Sequence, residues 1–176
     1  SVDGMNFNAI AFGAGQFLAS GVNNDVFFLT NGETWSWHSK MVSNAAVAAT
    51  GLAYNQASNV FAGVLSSFQT RWVGAGSSRW NAGTNLGVSF LEAYRGITRH
   101  GSGFVLCGVL GGIRGSTDAG RSWFELREII LEGSEREPTL YGIASDDKNT
   151  LVAVGEKGRI LYSTNSGANW TTYQWG

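Results

Sequence analysis

Three regularly spaced arginines of this 176-residue chain could together bind an anion: Arg71, Arg114 and Arg159. Each lies at a matching place in the third apolar run of a repeated unit, so their guanidinium groups could converge on an anion. The structural alternative is that each long side chain covers the face of a sheet with its methylene stem. We favour the structural interpretation and keep the three arginines as candidate binding residues.

The remaining polar residues give little support for catalysis or metal binding. Five of the 13 acidic residues crowd positions 125–137, which is typical of a solvated loop rather than of the paired carboxylates of a glycosidase. Neither His38 nor His100 has a second ligand at metal-binding spacing, and Cys107 lies in an apolar run, as a small buried residue would. We therefore expect no catalytic residue, no metal and no cofactor.

Composition argues against several further classes of protein. Lys+Arg is 12 and Asp+Glu is 13, a net charge of −1, so the chain lacks the basic excess of a nucleic-acid binder. A single cysteine excludes an intramolecular disulfide, and no run of about 18 apolar residues exists to insert into a membrane. The 43% apolar share and 25 glycines predict a globular domain with many tight turns.

Aromatic side chains next to polar ones could form a recognition surface. Trp37, His38, Trp72 and Tyr94 lie outside the regular series of tryptophans described below, and such residues suit a sugar or a protein partner. Packing between sheets is the alternative for all four. The long connections at residues 40–50, 81–92 and 125–139 are expected on one side of the domain, where they would carry such a surface.

A fourfold repeat supplies the elements that must position these residues. Equivalent apolar runs are centred on Ile10, Leu52, Ile97 and Ile143, at spacings of 42, 45 and 46 residues. A tryptophan closes each unit at spacings of 45, 43 and 47 residues: Trp35, Trp80, Trp123 and Trp170. Because each unit holds short runs rich in Val, Ile, Phe and Leu between turn residues, the pattern predicts four short strands per unit.

Four-stranded units of about 40–50 residues are typical of β-propeller blades. We predict an all-β fold, a single domain over residues 1–176 with blades at residues 8–40, 50–82, 94–127 and 140–175. A closed four-bladed ring is favoured, and the alternatives are an eight-bladed ring made by two chains or part of a longer propeller. Because residues 1–7 resemble the end of a preceding turn, we also expect an upstream domain in a longer chain.

The turn before each tryptophan carries a more specific signal. Residues 116–123 read S-T-D-A-G-R-S-W and residues 163–170 read S-T-N-S-G-A-N-W; residues 30–35 are one residue shorter, and residues 76–80 keep only a glycine and the tryptophan. This pattern resembles the Asp-box, or BNR repeat, of sialidase-like and sortilin-like propellers, and the last unit resembles the YCF48-like photosystem II assembly factors. The resemblance implies a structural role at the blade periphery for Asn31, Trp35, Trp80, Asp118, Gly120, Trp123, Asn165, Gly167 and Trp170.

The resemblance implies recognition rather than catalysis. No arginine-containing FRIP-like signature of a sialidase precedes the first box. We therefore predict a non-catalytic module that binds a protein or a glycan through one loop face. Phage-tail and bacterial cell-surface proteins are its expected setting, at an extracellular, virion-associated or periplasmic location. An assembly or scaffold factor of the photosystem II type is the alternative, and a sialidase-like glycosidase is the least favoured.

Overall fold

The computed structural model describes residues 5–30, 32–43, 47–67, 69–84, 93–128 and 136–174. They form four antiparallel sheets of four strands, and within each sheet every strand pairs with the next along the chain. The predicted all-β propeller architecture is confirmed. The strands are two to seven residues long.

The strands of the first two sheets are as follows. Sheet one contains β1 (Phe7–Gly13), β2 (Gln16–Gly21), β3 (Asp25–Leu29) and β4 (Ser36–Lys40). Sheet two contains β5 (Ala49–Asn55), β6 (Val60–Leu65), β7 (Thr70–Gly74) and β8 (Asn81–Ala82).

The other two sheets repeat the same order. Sheet three contains β9 (Tyr94–His100), β10 (Gly103–Gly108), β11 (Ile113–Ser116) and β12 (Phe124–Arg127). Sheet four contains β13 (Leu140–Ser145), β14 (Leu151–Gly155), β15 (Arg159–Ser163) and β16 (Thr171–Gln174).

All four sheets share one register. The apolar residue at the centre of each first strand pairs with a fixed position of the second strand: Ile10 with Ala19, Leu52 with Gly63, Ile97 with Leu106 and Ile143 with Ala153. Because successive side chains of a strand point to opposite faces, these positions lie on the same face of every sheet. We call this the leading face, which in sheets two to four packs on the preceding sheet, and we call the opposite one the trailing face.

A buried apolar cluster joins each pair of consecutive sheets. The first cluster joins Leu18 and Val26 to Phe61 and Val73, the second joins Ala62 and Val64 to Phe104 and Leu106, and the third joins Val105 and Cys107 to Leu140 and Leu161. Burial raises the pKa of the Cys107 thiol to about 12, so this side chain packs as an apolar group. The core of the domain is therefore a stack of sheet-to-sheet interfaces.

Two faces lie outside this stack. On the leading face of sheet one, Ile10 and Phe12 are each 60% exposed. On the trailing face of sheet four, Val152 and Val154 are 37% and 46% exposed. Closure of the predicted four-bladed ring is not confirmed, because a closed ring would bury both faces against each other.

Side chains hold the turn between the third and fourth strands of sheet three. Asp118 accepts hydrogen bonds from the amide and hydroxyl of Ser122, and the amide of Gly120 donates to Ser116 Oγ over 2.9 Å. Gly120 has a φ of +82°, which glycine adopts without strain. After the turn, Trp123 is 3% exposed and lies in the cluster between sheets two and three.

The matching turn of sheet four has the same arrangement. Asn165 Oδ1 accepts from the amide of Asn169 over 2.9 Å, and the amide of Gly167 donates to Ser163 Oγ over 2.9 Å. Trp170 is half-buried against the cluster between sheets three and four. The box position Asn31 of the first unit lies outside the described residues. These turns give the blades their rigid outer edges.

Candidate binding groove between the first two sheets

A groove of about 670 Å³ lies at the outer edge of the propeller, between sheets one and two. The last residue of β4 and the three residues after it form one wall, and the end of sheet two forms the other. The groove is lined by Lys40, Met41, Val42, Ser43, Arg71, Ser78, Arg79, Trp80 and Ala82. It is therefore the place where one predicted binding residue, Arg71, and one box tryptophan, Trp80, meet.

Arg71 reaches the groove from β7, where it pairs with Gly63 of the neighbouring strand. Because Gly63 lacks a Cβ, the side chain of Met41 approaches the sheet, and a Cβ there would come within 2.9 Å of its terminal methyl group. Arg71 Nε donates to the Met41 carbonyl over 3.2 Å. Its two terminal nitrogens donate to the Thr70 carbonyl over 3.0 Å and to Gln69 Oε1 over 2.7 Å. These three bonds fix the guanidinium in the wall of the groove.

Trp80 joins the two walls through a short polar chain. Its Nε1 donates to Ser39 Oγ over 3.0 Å, and Ser39 Oγ lies 2.7 Å from His38 Nδ1. Desolvation lowers the pKa of His38, so the ring is neutral at neutral pH and Nδ1 can accept a hydrogen bond from the serine hydroxyl. His38 also packs edge-on against Phe28, with ring centroids 5.6 Å apart. The predicted residue His38 thus supports the groove from behind.

The groove carries a positive charge that carboxylates of this chain only partly neutralise. Lys40 pairs with Asp25 over 3.0 Å. Within the described part of the chain, neither Arg71 nor the exposed Arg79 has a carboxylate within ion-pair distance. Partial burial lowers the pKa of Arg71, but a guanidinium stays charged at neutral pH. Two cations beside an indole ring can therefore receive a carboxylate from outside.

Arg114, Tyr94 and Trp72 lie between sheets two and three rather than in the groove. Arg114 Nε donates to the hydroxyl of Tyr94 over 2.7 Å, and Arg114 also lies 3.5 Å from a carboxylate oxygen of Glu125. Tyr94 is 1% exposed. Trp72 is half-buried, with the guanidinium of Arg121 4.5 Å above its ring. The structure therefore places all three in contacts of the fold.

The predicted threefold arginine series is wrong at its last member. Arg71 pairs with Gly63 and Arg114 pairs with Leu106, which are equivalent positions, but Leu161 occupies that position in sheet four by pairing with Ala153. Arg159 lies two residues earlier, opposite Gln174. It contacts Glu137 over 3.4 Å, as Arg127 does over 3.6 Å. The run R-I-L-Y at residues 159–162 is compatible with two registers, and the strand pairing places Leu161, not Arg159, opposite Ala153.

Trp37 lies apart from the groove. It pairs with Phe27 on the leading face of sheet one, it is 58% exposed, and its Nε1 donates to Asp25 Oδ1 over 3.0 Å. Of the predicted binding residues, only Arg71 lines the groove, and His38 lies behind it, linked to Trp80 through Ser39.

Sequence reasoning missed Arg79, Lys40 and Ser39. The available signal was the second unit itself. This unit lacks the Asx residue of the other turns and carries Arg79 directly before its tryptophan. Such a departure from the repeat indicates that these residues have a role other than stabilising the turn.

A second concavity, of about 460 Å³, opens at the ends of the first strands. Phe12, Tyr54, Gln56 and Arg99 line it. Arg99 is already paired with Asp147 over 3.2 Å, and the Tyr54 hydroxyl donates to Asn59 Oδ1 over 2.7 Å. This cleft therefore has fewer groups available for a ligand than the groove has.

The described residues contain no group of three or more His, Cys, Asp and Glu side chains that could hold a metal ion. None of their helices is long and apolar enough to cross a membrane.

No protein-family model matches the chain, and no curated protein is significantly similar to it in sequence. Solved structures do resemble it in fold. YCF48 bound to a D1 peptide aligns with a TM-score of 0.63 and 15% identity, over 92% of this chain and 50% of that one. YCF48 from Cyanidioschyzon merolae aligns with a TM-score of 0.70 and 14% identity, over 97% and 56%. The GH74 enzyme of Niastella koreensis aligns with a TM-score of 0.63 and 17% identity, over 94% and 24%.

These likenesses establish the fold class, a β-propeller, and nothing finer. The identities of 14–17% are too low to transfer an activity. The chain spans about half the length of the two YCF48 structures and about a quarter of the GH74 enzyme.

Proposed function

We propose that this chain is a non-catalytic recognition module that binds a carboxylate-bearing segment of a partner protein in the groove between sheets one and two. The observation that carries the proposal is the pair of guanidinium groups, Arg71 and Arg79, without a carboxylate partner among the described residues and beside Trp80. Cationic groups beside an aromatic ring are common anchors of protein interfaces.

The geometry supports a directional contact rather than a diffuse charge effect. An arginine has five N–H donors, and Arg71 uses three of them within the chain. The remaining donors belong to a side chain already held in place, so binding costs it little rotational freedom. Arg79, at the exposed rim, would steer an anionic segment toward Arg71. Lys40 is held by Asp25 and contributes less.

The likeness to YCF48 bound to a D1 peptide favours a protein partner over a glycan, since that propeller is bound to a peptide. Recognising a protein segment is also what an assembly factor does, so the two predicted roles differ in their partner and not in their chemistry. We further propose that the turns of sheets three and four belong to the Asp-box class, on the hydrogen bonds of Asp118 and Asn165.

The test uses fluorescence polarisation with a fluorescein-labelled hexaglutamate peptide and its hexaglutamine counterpart. We expect the parent chain to bind the acidic peptide, and Arg79→Ala to weaken binding roughly tenfold, as expected for one charge-assisted contact. Arg136→Ala, which removes an exposed arginine remote from the groove in sequence, is the matched control and should bind like the parent. Equal binding of both peptides, or equal losses in both variants, would refute the groove.

Two further measurements separate the alternatives. Binding to a neutral glycan on an array that persists in Arg79→Ala would favour the glycan partner. Release of fluorophore from sialyl or other glycosyl reporter substrates, abolished by a single carboxylate substitution, would overturn the proposal that the chain is not an enzyme.

A further inference from the structure

We propose that two copies of this chain assemble head to tail into one eight-bladed ring, with the leading face of sheet one in each copy packed on the trailing face of sheet four in the other. The inference is independent of the groove. It rests on three observations: the equivalence of these two faces to the internal interfaces, their apolar surfaces, and the size of the arc.

The leading face of sheet one is built like the leading faces that are buried. Phe61 of sheet two and Phe104 of sheet three are 1% and 0% exposed, and both occupy the second-strand position that faces the preceding sheet. Phe17 occupies the same position in sheet one, opposite Phe12, and is 40% exposed. The phenylalanine at this register position is therefore buried in sheets two and three, as is Leu151 at the same position of sheet four, and it is exposed only in sheet one.

The trailing face of sheet four repeats this relation in the other direction. Val64 and Cys107 face the following sheet and are fully buried. Val154 is their counterpart, because it pairs with Gly142 as Val64 pairs with Gly51 and Cys107 with Gly96, and it is 46% exposed. The two open faces are thus of opposite type, and each is complementary to the other rather than to itself.

Both open faces also carry exposed apolar side chains. An apolar hollow of about 500 Å³ on the leading face of sheet one is lined by Phe7, Ile10, Ala19 and Trp35, with Asn8 and Ala9. The trailing face of sheet four offers Val152, Val154 and Tyr162, of which Tyr162 is 41% exposed. Exposed apolar surfaces of this extent are typical of protein interfaces.

An internal interface predicts which residues meet. A Cβ built on Gly51 would lie 3.0 Å from Ile97 Cγ2 of the next sheet. Ile10 is equivalent to Ile97, and Gly142 is equivalent to Gly51. Ile10 of one copy should therefore rest on Gly142 of the other, beside Val154, whose Cγ2 would lie 3.6 Å from a Cβ on Gly142.

The number of sheets in one chain favours an assembly of two copies. The chain aligns over 50% and 56% of the residues of the two YCF48 structures, so four sheets account for about half of the residues of such a propeller. A head-to-tail contact repeated twice then closes, as cyclic assemblies do, and leaves neither face open. Each copy buries both of its open faces in the same closed assembly.

Sedimentation equilibrium of the 176-residue chain tests the proposal. We expect the parent to sediment at twice its 18.8 kDa. Ile10→Glu on one face and Val154→Lys on the other should each halve the sedimenting mass. Each substitution is present in both copies, so it places a charge in both interfaces of the symmetric ring. Lys148→Glu, an exposed change in the turn between β13 and β14, should leave the dimer intact.

Mixing the two variants gives the decisive result. In a mixed pair one contact is unaltered and the other joins the introduced carboxylate to the introduced ammonium group across the interface, so we expect the dimeric mass to return. Single variants that remain dimeric, or a mixture that stays monomeric, would overturn head-to-tail pairing. Circular dichroism checks that each variant is folded, and Phe12→Glu replaces Ile10→Glu if the latter is not. A parent that is monomeric at all concentrations would overturn the dimer, and further blades of the same chain would then cover the two open faces. Open polymers would refute ring closure.

Discussion

Sheet three and sheet one are built from the same repeat, but only sheet three is covered on both faces. All six residues of β10 are buried, whereas β2 keeps Phe17 at its edge 40% exposed. Phe17 and Phe104 are the same residue type at the same register position, so the residue itself does not account for the difference in exposure. What differs is the neighbour: sheet three lies between two other sheets, and sheet one has only the following one. Burial in this fold is therefore a property of position along the arc.

The largest expected effect tests that contrast directly. Phe104→Ala should lower the free energy of unfolding by about 3–5 kcal/mol, because it leaves a cavity in the cluster between sheets two and three. Phe17→Ala, at the equivalent position of sheet one, should cost about 1–2 kcal/mol in dilute solution, since the residue is already 40% exposed. Urea denaturation of both variants gives the two values, and equal losses would contradict the contrast.

The destabilisation caused by Phe17→Ala should also depend on protein concentration. If Phe17 is covered by another copy, the destabilisation by Phe17→Ala grows as the protein is concentrated, because association stabilises the folded state by mass action. The destabilisation by Phe104→Ala, taken as the difference from the parent at the same concentration, should stay constant, because Phe104 lies in an internal cluster. Melting temperatures across a hundredfold dilution series provide the measurement.

A smaller effect concerns the turns of an internal and an end sheet. Asp118→Ala in sheet three should cost about 1–2 kcal/mol, because the amide and hydroxyl of Ser122 lose their acceptor. Asn165→Ala in sheet four should cost less. The Asn165 side chain is uncharged, and its Oδ1 accepts hydrogen bonds only from the Ser163 hydroxyl and the Asn169 amide among the bonds of this turn. A cost for Asn165→Ala that equals or exceeds that for Asp118→Ala would show that charge does not strengthen the turn.

The smallest expected effect is a difference between the same two turns in how their contribution to stability depends on pH. Burial tends to raise the pKa of Asp118, but hydrogen bonds from Ser122 and Ser116 outweigh it and hold the pKa below its ordinary value. A carboxyl whose folded pKa is depressed stabilises the fold above its unfolded pKa, and this contribution is lost as the pH falls through the folded value. The melting-temperature gap between the parent and Asp118→Asn should therefore narrow below about pH 4. Asn165→Asp should introduce a corresponding acid sensitivity in sheet four, and a gap that does not change with pH would contradict the assignment.

The sequence by itself determined the repeat unit and its architecture. Apolar runs at Ile10, Leu52, Ile97 and Ile143 fall at one register position in the structure, because strand periodicity and turn residues are local properties of the chain. The glycines of the boxes, such as Gly120 with its positive φ, were likewise readable from the turn they must form.

Only the tertiary structure decided which equivalent residues are used for what. It moved Arg159 out of the arginine series, enclosed Arg114 with Tyr94, and left Arg71 at a groove with Arg79 and Trp80. It also left the ring of four unconfirmed, with open apolar faces on sheets one and four. The physical reason is that periodicity specifies which face of a strand is apolar, whereas the partner of that face, and the register that brings distant side chains together, depend on contacts between sheets far apart in the chain.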